Sequence, residues 1–134
     1  IVGVLHDRFK DLKLVYLSSR TYGGYAKTPL NPEPQAYESG FAVKWLIEKQ
    51  IEGEKPAGGA SSTRSAKTPW LAWGPYLWAD GATKRADGLS WELADVRPQD
   101  GTHPSDSGCR KVANELLKFF TTDSTTVPWF LAKK

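Results

Sequence analysis

Apolar residues recur every three or four positions in three stretches of the chain, which is the spacing of an amphipathic helix. The stretches are residues 1–11, residues 37–52 and a segment that begins after Pro104. In the last of these, Ser105 is suited to cap the first turn. The pattern therefore predicts three helices, and for the third it predicts a buried stripe made of Val112, Ala113, Leu116, Leu117 and Phe120.

Two further stretches have the composition of β-strands. Residues 14–17, with the sequence Leu-Val-Tyr-Leu, form a continuous apolar run, which is typical of a strand buried on both faces of a parallel sheet. Residues 70–78 are rich in aromatic side chains, and Pro75 interrupts this strand or places it at a sheet edge. The remaining segments are predicted to be loops, namely 26–36, 53–69 and a hairpin or surface excursion bracketed by Asp80-Gly81 and Asp87-Gly88.

The order helix, strand, helix, strand, loop, helix predicts an α/β fold with a parallel sheet covered on both faces. Two strands give too little sheet for three helices to cover, and they leave long unpaired edges. The first helix has no visible cap, and the chain begins at Ile1 and contains no methionine. We therefore expect residues 1–134 to be the C-terminal portion of a single doubly wound, three-layer α/β/α domain whose N-terminal strands lie outside this sequence.

Composition and charge argue against several classes of protein. The 18 basic and 15 acidic residues are interspersed and give a net charge of +3, so no nucleic-acid partner is predicted. No apolar run approaches the roughly 18 residues that a membrane span needs. One cysteine and two histidines are poor material for a zinc site, so no metal or other cofactor is predicted, and Cys109 is expected to be a buried or half-exposed thiol.

The segment from Asp100 to Gly108 carries the most informative chemistry. An aspartate three residues ahead of a histidine in a tight turn can hydrogen-bond one imidazole nitrogen, which leaves the other nitrogen free to act as a base. Asp100 and His103 have this spacing. Pro104 disfavours helical geometry at His103 and so holds it on the loop before the helix. The alternative is that Asp100 only forms the turn and His103 is an ordinary surface residue.

This block resembles the last conserved block of the SGNH (GDSL-type) serine hydrolases. Three segments together look like the C-terminal half of such an esterase-like protein: residues 14–25, 37–45 and 100–108. The resemblance spans most of residues 9–120, and only the Asp-x-x-His block is a named motif. It implies a doubly wound (SGNH/flavodoxin-like) fold, an ester substrate, His103 as the general base and Asp100 as the acid that orients it.

The family's other catalytic parts are not readable in this chain. Its nucleophile lies in a Gly-Asp-Ser-type motif, and its oxyanion hole combines that serine's amide with a glycine and an asparagine from two later blocks. Ser18 or Ser19, at the end of the first strand, is an alternative nucleophile, although strand-end hydroxyls more often satisfy backbone groups. We expect the isolated chain to be catalytically weak or inactive, because a base without nucleophile and oxyanion donors loses most of the rate of acyl transfer.

Ligands of open α/β sheets bind at the carboxyl ends of the strands. Arg20 and Tyr22 follow the first strand and Trp78 ends the second, so these three are the predicted substrate-binding residues, with an ordinary surface ion pair as the alternative for Arg20. The predicted partners are an ester, with an acetylated carbohydrate suggested by the aromatic residues, and either the missing N-terminal half or a second copy that covers the open sheet edge. The compartment stays open, and the resemblance favours a secreted or extracytoplasmic one.

A group of aromatic residues supports a different class of function, a non-catalytic carbohydrate-binding or interaction domain of hydrolase ancestry. Aromatic faces stack on sugar rings, whereas Trp and Tyr near a strand also commonly form the margin of a core. A third hypothesis takes Glu92, Asp95 and Asp100 as paired acids of a glycosidase. The aromatic group consists of Trp70, Trp73, Tyr76, Trp78 and Trp91.

Overall fold

The computed structural model describes residues 1–29, 31–52 and 68–131. Helices and strands alternate along the first part of this chain, and helices close it. In order they are α1 (Val2–Arg8), β1 (Leu14–Leu17), α2 (Gln35–Glu52), β2 (Trp70–Trp73), a 3₁₀ turn (Leu93–Asp95), α3 (Asp106–Thr122) and α4 (Val127–Phe130). Most of the loop predicted at 53–69 lies outside the described residues.

The two strands form a parallel pair. Their residues lie opposite one another in the order Leu14–Trp70, Val15–Leu71, Tyr16–Ala72 and Leu17–Trp73. Parallel neighbours need a long crossover connection, and α2 lies in it and packs against β2. The Gln50 side chain fixes this contact, because it accepts from the Leu71 amide at 2.7 Å and donates to the Pro69 carbonyl at 3.0 Å. The described chain is thus mixed α/β, which confirms the predicted class.

β2 ends at Trp73, so the run over 70–78 is interrupted before Pro75, which is one of the two alternatives predicted for this proline. The last rung of the sheet is a hydrogen bond from the Gly74 amide to the Leu17 carbonyl, at 2.7 Å. Pro75 follows, and it has no amide hydrogen with which to continue the ladder. The aromatic residues beyond Pro75 therefore belong to a loop and not to the sheet.

No strand lies between residues 74 and 92, and the part between the two Asp-Gly pairs is a mostly exposed excursion whose flanks, at Ala79 and Leu89, are buried. Gly81 and Gly88 have φ values of +50° and +92°, so both Asp-Gly pairs make turns that need glycine. The Gly88 amide donates to the Arg85 carbonyl at 2.8 Å, and the Arg85 amide donates to the Leu89 carbonyl at 2.9 Å. Of the two alternatives for this segment, the surface excursion is confirmed and the hairpin is wrong.

The helix bounds agree with the predicted ones to within a few residues, and the end of α2 at Glu52 is confirmed. α1 stops at Arg8 instead of residue 11, and none of its residues is buried. α2 begins at Gln35, slightly before the predicted position. α3 begins directly after Ser105, whose hydroxyl accepts from the Gly108 amide at 3.4 Å, so the predicted cap is confirmed.

The stripe predicted to be buried on α3 is only partly covered. Val112 packs against the core, while Leu116 and Phe120 are half-buried. Ala113 is exposed and Leu117 is 55 % exposed, which contradicts the prediction at these two positions. Within the described chain α3 packs mainly on the 3₁₀ turn and on α4, and these contacts leave Ala113 and Leu117 uncovered.

β1 is half-buried at all four of its positions, whereas the sequence predicts burial on both faces. Among the described residues β1 pairs with β2 alone, so its other edge carries no neighbouring strand. Tyr16 is covered on one side by Phe119 of α3, with ring centroids 5.0 Å apart in an edge-to-face arrangement. β1 is therefore more apolar than its partial burial among the described residues requires.

The best-buried cluster lies beneath α3 and not between the helices and the sheet. Trp91 is 1 % exposed and packs with Ala79 and Leu89, and Tyr22, Tyr25 and Val112 line its margin. The Trp91 indole nitrogen donates to the Leu77 carbonyl at 2.7 Å, so its one polar atom is satisfied. This cluster connects the loop after β1 with the loop after β2.

A serine at the end of β1 anchors the second of these loops. Ser19 is 5 % exposed, and its hydroxyl accepts from the Leu77 amide at 2.8 Å and from the Trp78 amide at 3.2 Å. We expect Ser19→Ala to lower the free energy of unfolding by about 1–3 kcal/mol, because it leaves two amide donors without an acceptor at a part-buried site. Urea unfolding followed by tryptophan fluorescence measures this loss.

Ser18→Ala is the matched control, because Ser18 is exposed and adjacent. A change at such a surface position should stay within about 0.5 kcal/mol. Equal effects of the two substitutions would show that the Ser19 hydroxyl does not hold the loop.

Candidate functional site

The structure brings Asp100 and His103 into direct contact. The Asp100 Oδ2 atom lies 2.8 Å from Nδ1 of His103. The other carboxylate oxygen accepts from the His103 amide at 2.8 Å and from the Thr102 amide at 2.7 Å. These bonds, led by that of the His103 amide, lower the pKa of Asp100 to about 2. The carboxylate is therefore ionised at neutral pH, and the hydrogen bond predicted from the sequence is confirmed.

An ionised carboxylate can only accept hydrogen bonds, so the neutral His103 ring must present its hydrogen on Nδ1. The lone pair then lies on Nε2, the nitrogen that makes no hydrogen bond to any described residue. The His103 side chain is 69 % exposed, so this nitrogen is accessible to another molecule. The arrangement can take a proton at Nε2 while the carboxylate stabilises the resulting imidazolium.

A short ladder of backbone hydrogen bonds holds the turn. The Arg97 amide donates to the His103 carbonyl at 2.8 Å, and the Ser105 amide donates to the Asp95 carbonyl at 2.9 Å. Between these two bonds, residue 96 forms an antiparallel bridge with Pro104. α3 begins only at Asp106, which confirms that Pro104 leaves His103 outside the helix.

The loop after β1 also packs against this turn and forms hydrogen bonds with it. The Lys27 amide donates to the Asp100 carbonyl at 2.8 Å, and the Lys27 ammonium group donates to the Pro98 carbonyl. Gly101 lies so close to Tyr25 that a Cβ atom on it would be 1.7 Å from the Tyr25 carbonyl oxygen. The Asp-His turn is thus packed against the loop that follows the carboxyl end of β1, the region where open α/β sheets bind ligands.

The three predicted substrate-binding residues have different surroundings. Arg20 is exposed, and its guanidinium group makes no ion pair with any described residue. The half-buried Tyr22 ring packs edge-to-face on Tyr25 at 5.0 Å. Trp78 is half-buried, and its indole nitrogen donates to Glu33 at 2.9 Å. Tyr22 and Trp78 thus have packing roles, and the binding roles of all three residues stay predictions.

The serines near the pair are already engaged in hydrogen bonds. Ser105 caps α3 and donates to the Ala94 carbonyl at 2.7 Å, and Ser107 donates to Asp95 at 2.6 Å. Ser19 accepts from two amides of the loop after β2, as the structural alternative predicts. Ser18 is exposed.

The acids proposed for a glycosidase do not face a common groove. Asp95 is 2 % exposed, and its carboxylate accepts from Ser107, Lys111 and the Glu92 amide. Glu92 is exposed and forms a capping box with Asp95 around the 3₁₀ turn. These contacts use Asp95 as a structural anion, and so they count against the glycosidase hypothesis.

Sequence reasoning missed two charged residues that organise this region. Glu33 accepts from the Gly23 amide at 2.8 Å, from the Tyr37 amide at 3.1 Å and from the Trp78 indole. Lys111 reaches Asp95 from α3. The sequence holds a signal only for Lys111, because it lies four residues after Ser107 and therefore on the same helical face.

Two surface concavities among the described residues offer room for a ligand. An open depression of about 720 Å³ borders Asp100 and is lined also by Arg97, Ser105 and Ser107. A groove of about 170 Å³ between α2 and the loop after β2 is lined by Tyr37, Gly40, Phe41, Lys44, Trp73 and Tyr76. Of the aromatic group named above, Trp91 is excluded from any such surface by its burial in the core.

The sequence predicts no metal site and no membrane span, and it predicts a buried or half-exposed thiol at Cys109. Within residues 1–29, 31–52 and 68–131, no cluster of His, Cys, Asp and Glu has the arrangement of a metal site. Over the same residues no helix is long and apolar enough to cross a membrane. Cys109 is exposed in the first turn of α3, which contradicts the expected burial or half-burial because that turn presents this side to solvent.

No known family model matches the chain. Comparisons with curated proteins and with solved structures likewise return no match.

The tautomer of His103 is the first testable consequence of this geometry. In Asp100→Asn the amide oxygen can still accept from the two backbone amides, but the NH₂ group then faces Nδ1. We expect the neutral ring to move its hydrogen from Nδ1 to Nε2. ¹⁵N chemical shifts of the imidazole measure this in a His6→Gln background, where His103 is the only histidine. The same tautomer before and after the substitution would contradict the proposed orientation.

The second consequence concerns Gly101, which has a φ of +65°. An alanine at a positive φ costs roughly 1–2 kcal/mol in backbone strain, and at this position the clash with the Tyr25 carbonyl adds to it. Gly88→Ala is the control, because Gly88 has a φ of +92° and open space around it. Urea unfolding should show a clearly larger loss for Gly101→Ala, and equal losses would mean that the turn does not rest on the β1 loop.

Proposed function

We propose that this chain carries the acid and base of a serine ester hydrolase of the SGNH type, with His103 as the general base and Asp100 as the group that orients it. The observation that carries the proposal is the set of contacts of the Asp100 carboxylate, which accepts from the Thr102 and His103 amides and also lies 2.8 Å from Nδ1 of the His103 ring. A turn-forming aspartate alone needs only the backbone bonds. The bond to Nδ1 is the additional feature that a base requires.

The proposed reaction is acyl transfer through a serine ester. His103 Nε2 takes the proton of a serine hydroxyl as its oxygen attacks the ester carbonyl carbon, and the carbonyl electron pair moves onto oxygen. The tetrahedral intermediate collapses, the bond to the leaving oxygen breaks, and the imidazolium returns the proton to the departing alcohol. Water then hydrolyses the acyl-serine by the same two proton transfers. Throughout, Asp100 stays ionised and stabilises the imidazolium.

The nucleophile and the oxyanion donors are proposed to come from outside the described residues. The free edge of β1 supports this, because the strand is apolar and only half-buried, and it pairs with β2 alone in this part of the chain. α1 supports it too, because it has no buried residue. We propose that a parallel strand of the N-terminal half of the domain, or of a second copy, pairs with β1 and completes a doubly wound α/β/α sandwich.

The substrate is proposed to be an acetyl or other carboxyl ester. The aromatic groove between α2 and the loop after β2 supports an ester carried on a carbohydrate, since its exposed ring surfaces offer apolar faces to a sugar. The same groove would serve the second candidate function, a non-catalytic carbohydrate-binding domain.

Hydrolysis of p-nitrophenyl acetate tests the catalytic proposal. The enzyme is the natural polypeptide or complex that contains this sequence, and His103→Ala is compared with His6→Ala as the matched histidine control. Loss of a general base should lower kcat/KM by about a hundred- to ten-thousand-fold. His6→Ala should leave kcat/KM unchanged, and an equally active His103→Ala would overturn the proposal.

The isolated 134-residue chain is expected to show no hydrolysis beyond that of the His103→Ala chain, and no serine labelled by a fluorophosphonate. Labelling of Ser18 would place the nucleophile inside the chain. Quenching of tryptophan fluorescence by an oligosaccharide, lost in Trp73→Ala and retained in His103→Ala, would favour the binding domain if hydrolysis is absent.

A further inference from the structure

An ion pair between Lys111 and the buried carboxylate of Asp95 lies behind the Asp-His turn, and the proposed reaction does not use it. We infer that Lys111 is a positioning residue for His103, acting through Asp95 and the backbone ladder that leads to the turn. The inference rests on the proposed role of His103 as a base. Lys111 does not contact the ring itself, so its effect must pass through the residues between them.

Asp95 is the anchor of this connection. Its carboxylate is 2 % exposed and receives three donors: the Ser107 hydroxyl at 2.6 Å, the Glu92 amide at 2.8 Å and the Lys111 ammonium group. Burial alone would raise the pKa of Asp95, but the hydrogen bonds from Lys111, Ser107 and Glu92 lower it below its ordinary value. The anion is thus compensated mainly by groups of α3.

The backbone of Asp95 makes the first hydrogen bond of the ladder that holds the turn of His103. Its carbonyl accepts from the Ser105 amide, and two residues later the Arg97 amide donates to the His103 carbonyl. A Cβ atom on Gly108 would lie 2.1 Å from the Asp95 carbonyl oxygen, so the first turn of α3 lies directly against this rung. A shift of Asp95 therefore moves one of the two backbone segments that form the turn carrying His103.

Lys111 connects Asp95 both to α3 and to the loop that precedes the 3₁₀ turn. Besides the carboxylate, its ammonium group donates to the Ser90 carbonyl at 2.9 Å, and it lies 5.9 Å from the centre of the Trp91 ring. Without this charge the Asp95 carboxylate would remain buried and under-compensated, and it would have to protonate or turn toward water. Either change loosens the contact between α3 and the ladder.

The test compares Lys111→Met with Lys118→Met in the 134-residue chain. Methionine keeps much of the lysine stem and removes the charge, and Lys118 is an exposed lysine on the same helix. Native-state amide exchange is measured at Arg97 and Ser105, the donors of the ladder. Losing a charged hydrogen bond should speed their exchange about ten- to a hundred-fold in Lys111→Met. Lys118→Met should leave it unchanged.

The histidine itself supplies the readout that separates positioning from general stability. In Lys111→Met we expect the imidazole ¹⁵N shifts of His103 to move toward a mixture of tautomers, while amides in the last turns of α3 keep their protection. Unchanged shifts together with unchanged ladder exchange would overturn the inference. So would an equal increase in exchange throughout the chain, because that is global destabilisation.

Two further variants keep the inference testable if Lys111→Met does not fold. Ser107→Ala removes one donor and leaves the ion pair, so its ladder exchange should rise by a smaller factor. Asp95→Asn combined with Lys111→Met removes both charges, and it should restore slower exchange than Lys111→Met alone. These measurements need no catalysis, so a failure of the ester-hydrolase proposal would appear in the acetate assay and leave them unaffected.

Discussion

The Asp100 carboxylate is the group on which the geometry of this protein's candidate site depends. It receives the amides of Thr102 and His103 on one oxygen and the imidazole on the other. The backbone bonds shape the turn, and the turn then holds the His103 ring at hydrogen-bond distance from the Asp100 carboxylate. Because the carboxylate is already ionised by these bonds, the tautomer of the ring follows from its position.

The surrounding fold supports this turn from two directions. The loop after β1 supports it through Lys27 and the close contact of Gly101 with Tyr25. α3 supports it through the contacts of Lys111 with Ser90 and with the buried Asp95 carboxylate. The parallel strand pair contributes mainly by bringing the two loops together, and it leaves one edge of β1 without a partner among the described residues.

Local signals in the sequence were sufficient for the parts of the structure that local chemistry decides. The apolar run of β1, the Ser105 cap and the Asp100–His103 bond all follow from residues within a few positions of each other. The interruption of the second strand at Pro75 could be predicted as well, because the residue that removes the next hydrogen bond lies within the run itself. Asp95 and Lys111 are sixteen positions apart, and only the tertiary fold brings them together. The exposure of Leu117 depends on surfaces that periodicity within one helix does not report.

In the proposed mechanism His103 serves as the base for a serine supplied by the completed domain. The most direct measurement is a crystal structure of the natural polypeptide or complex after treatment with a phosphonate ester that traps serine nucleophiles. If His103 is this base, the structure will show a serine Oγ bonded to phosphorus, with this Oγ or a phosphonate oxygen within about 2.6–3.2 Å of His103 Nε2. An adduct on a serine remote from His103, or a trapped enzyme in which the Asp100–His103 bond is absent, would contradict it.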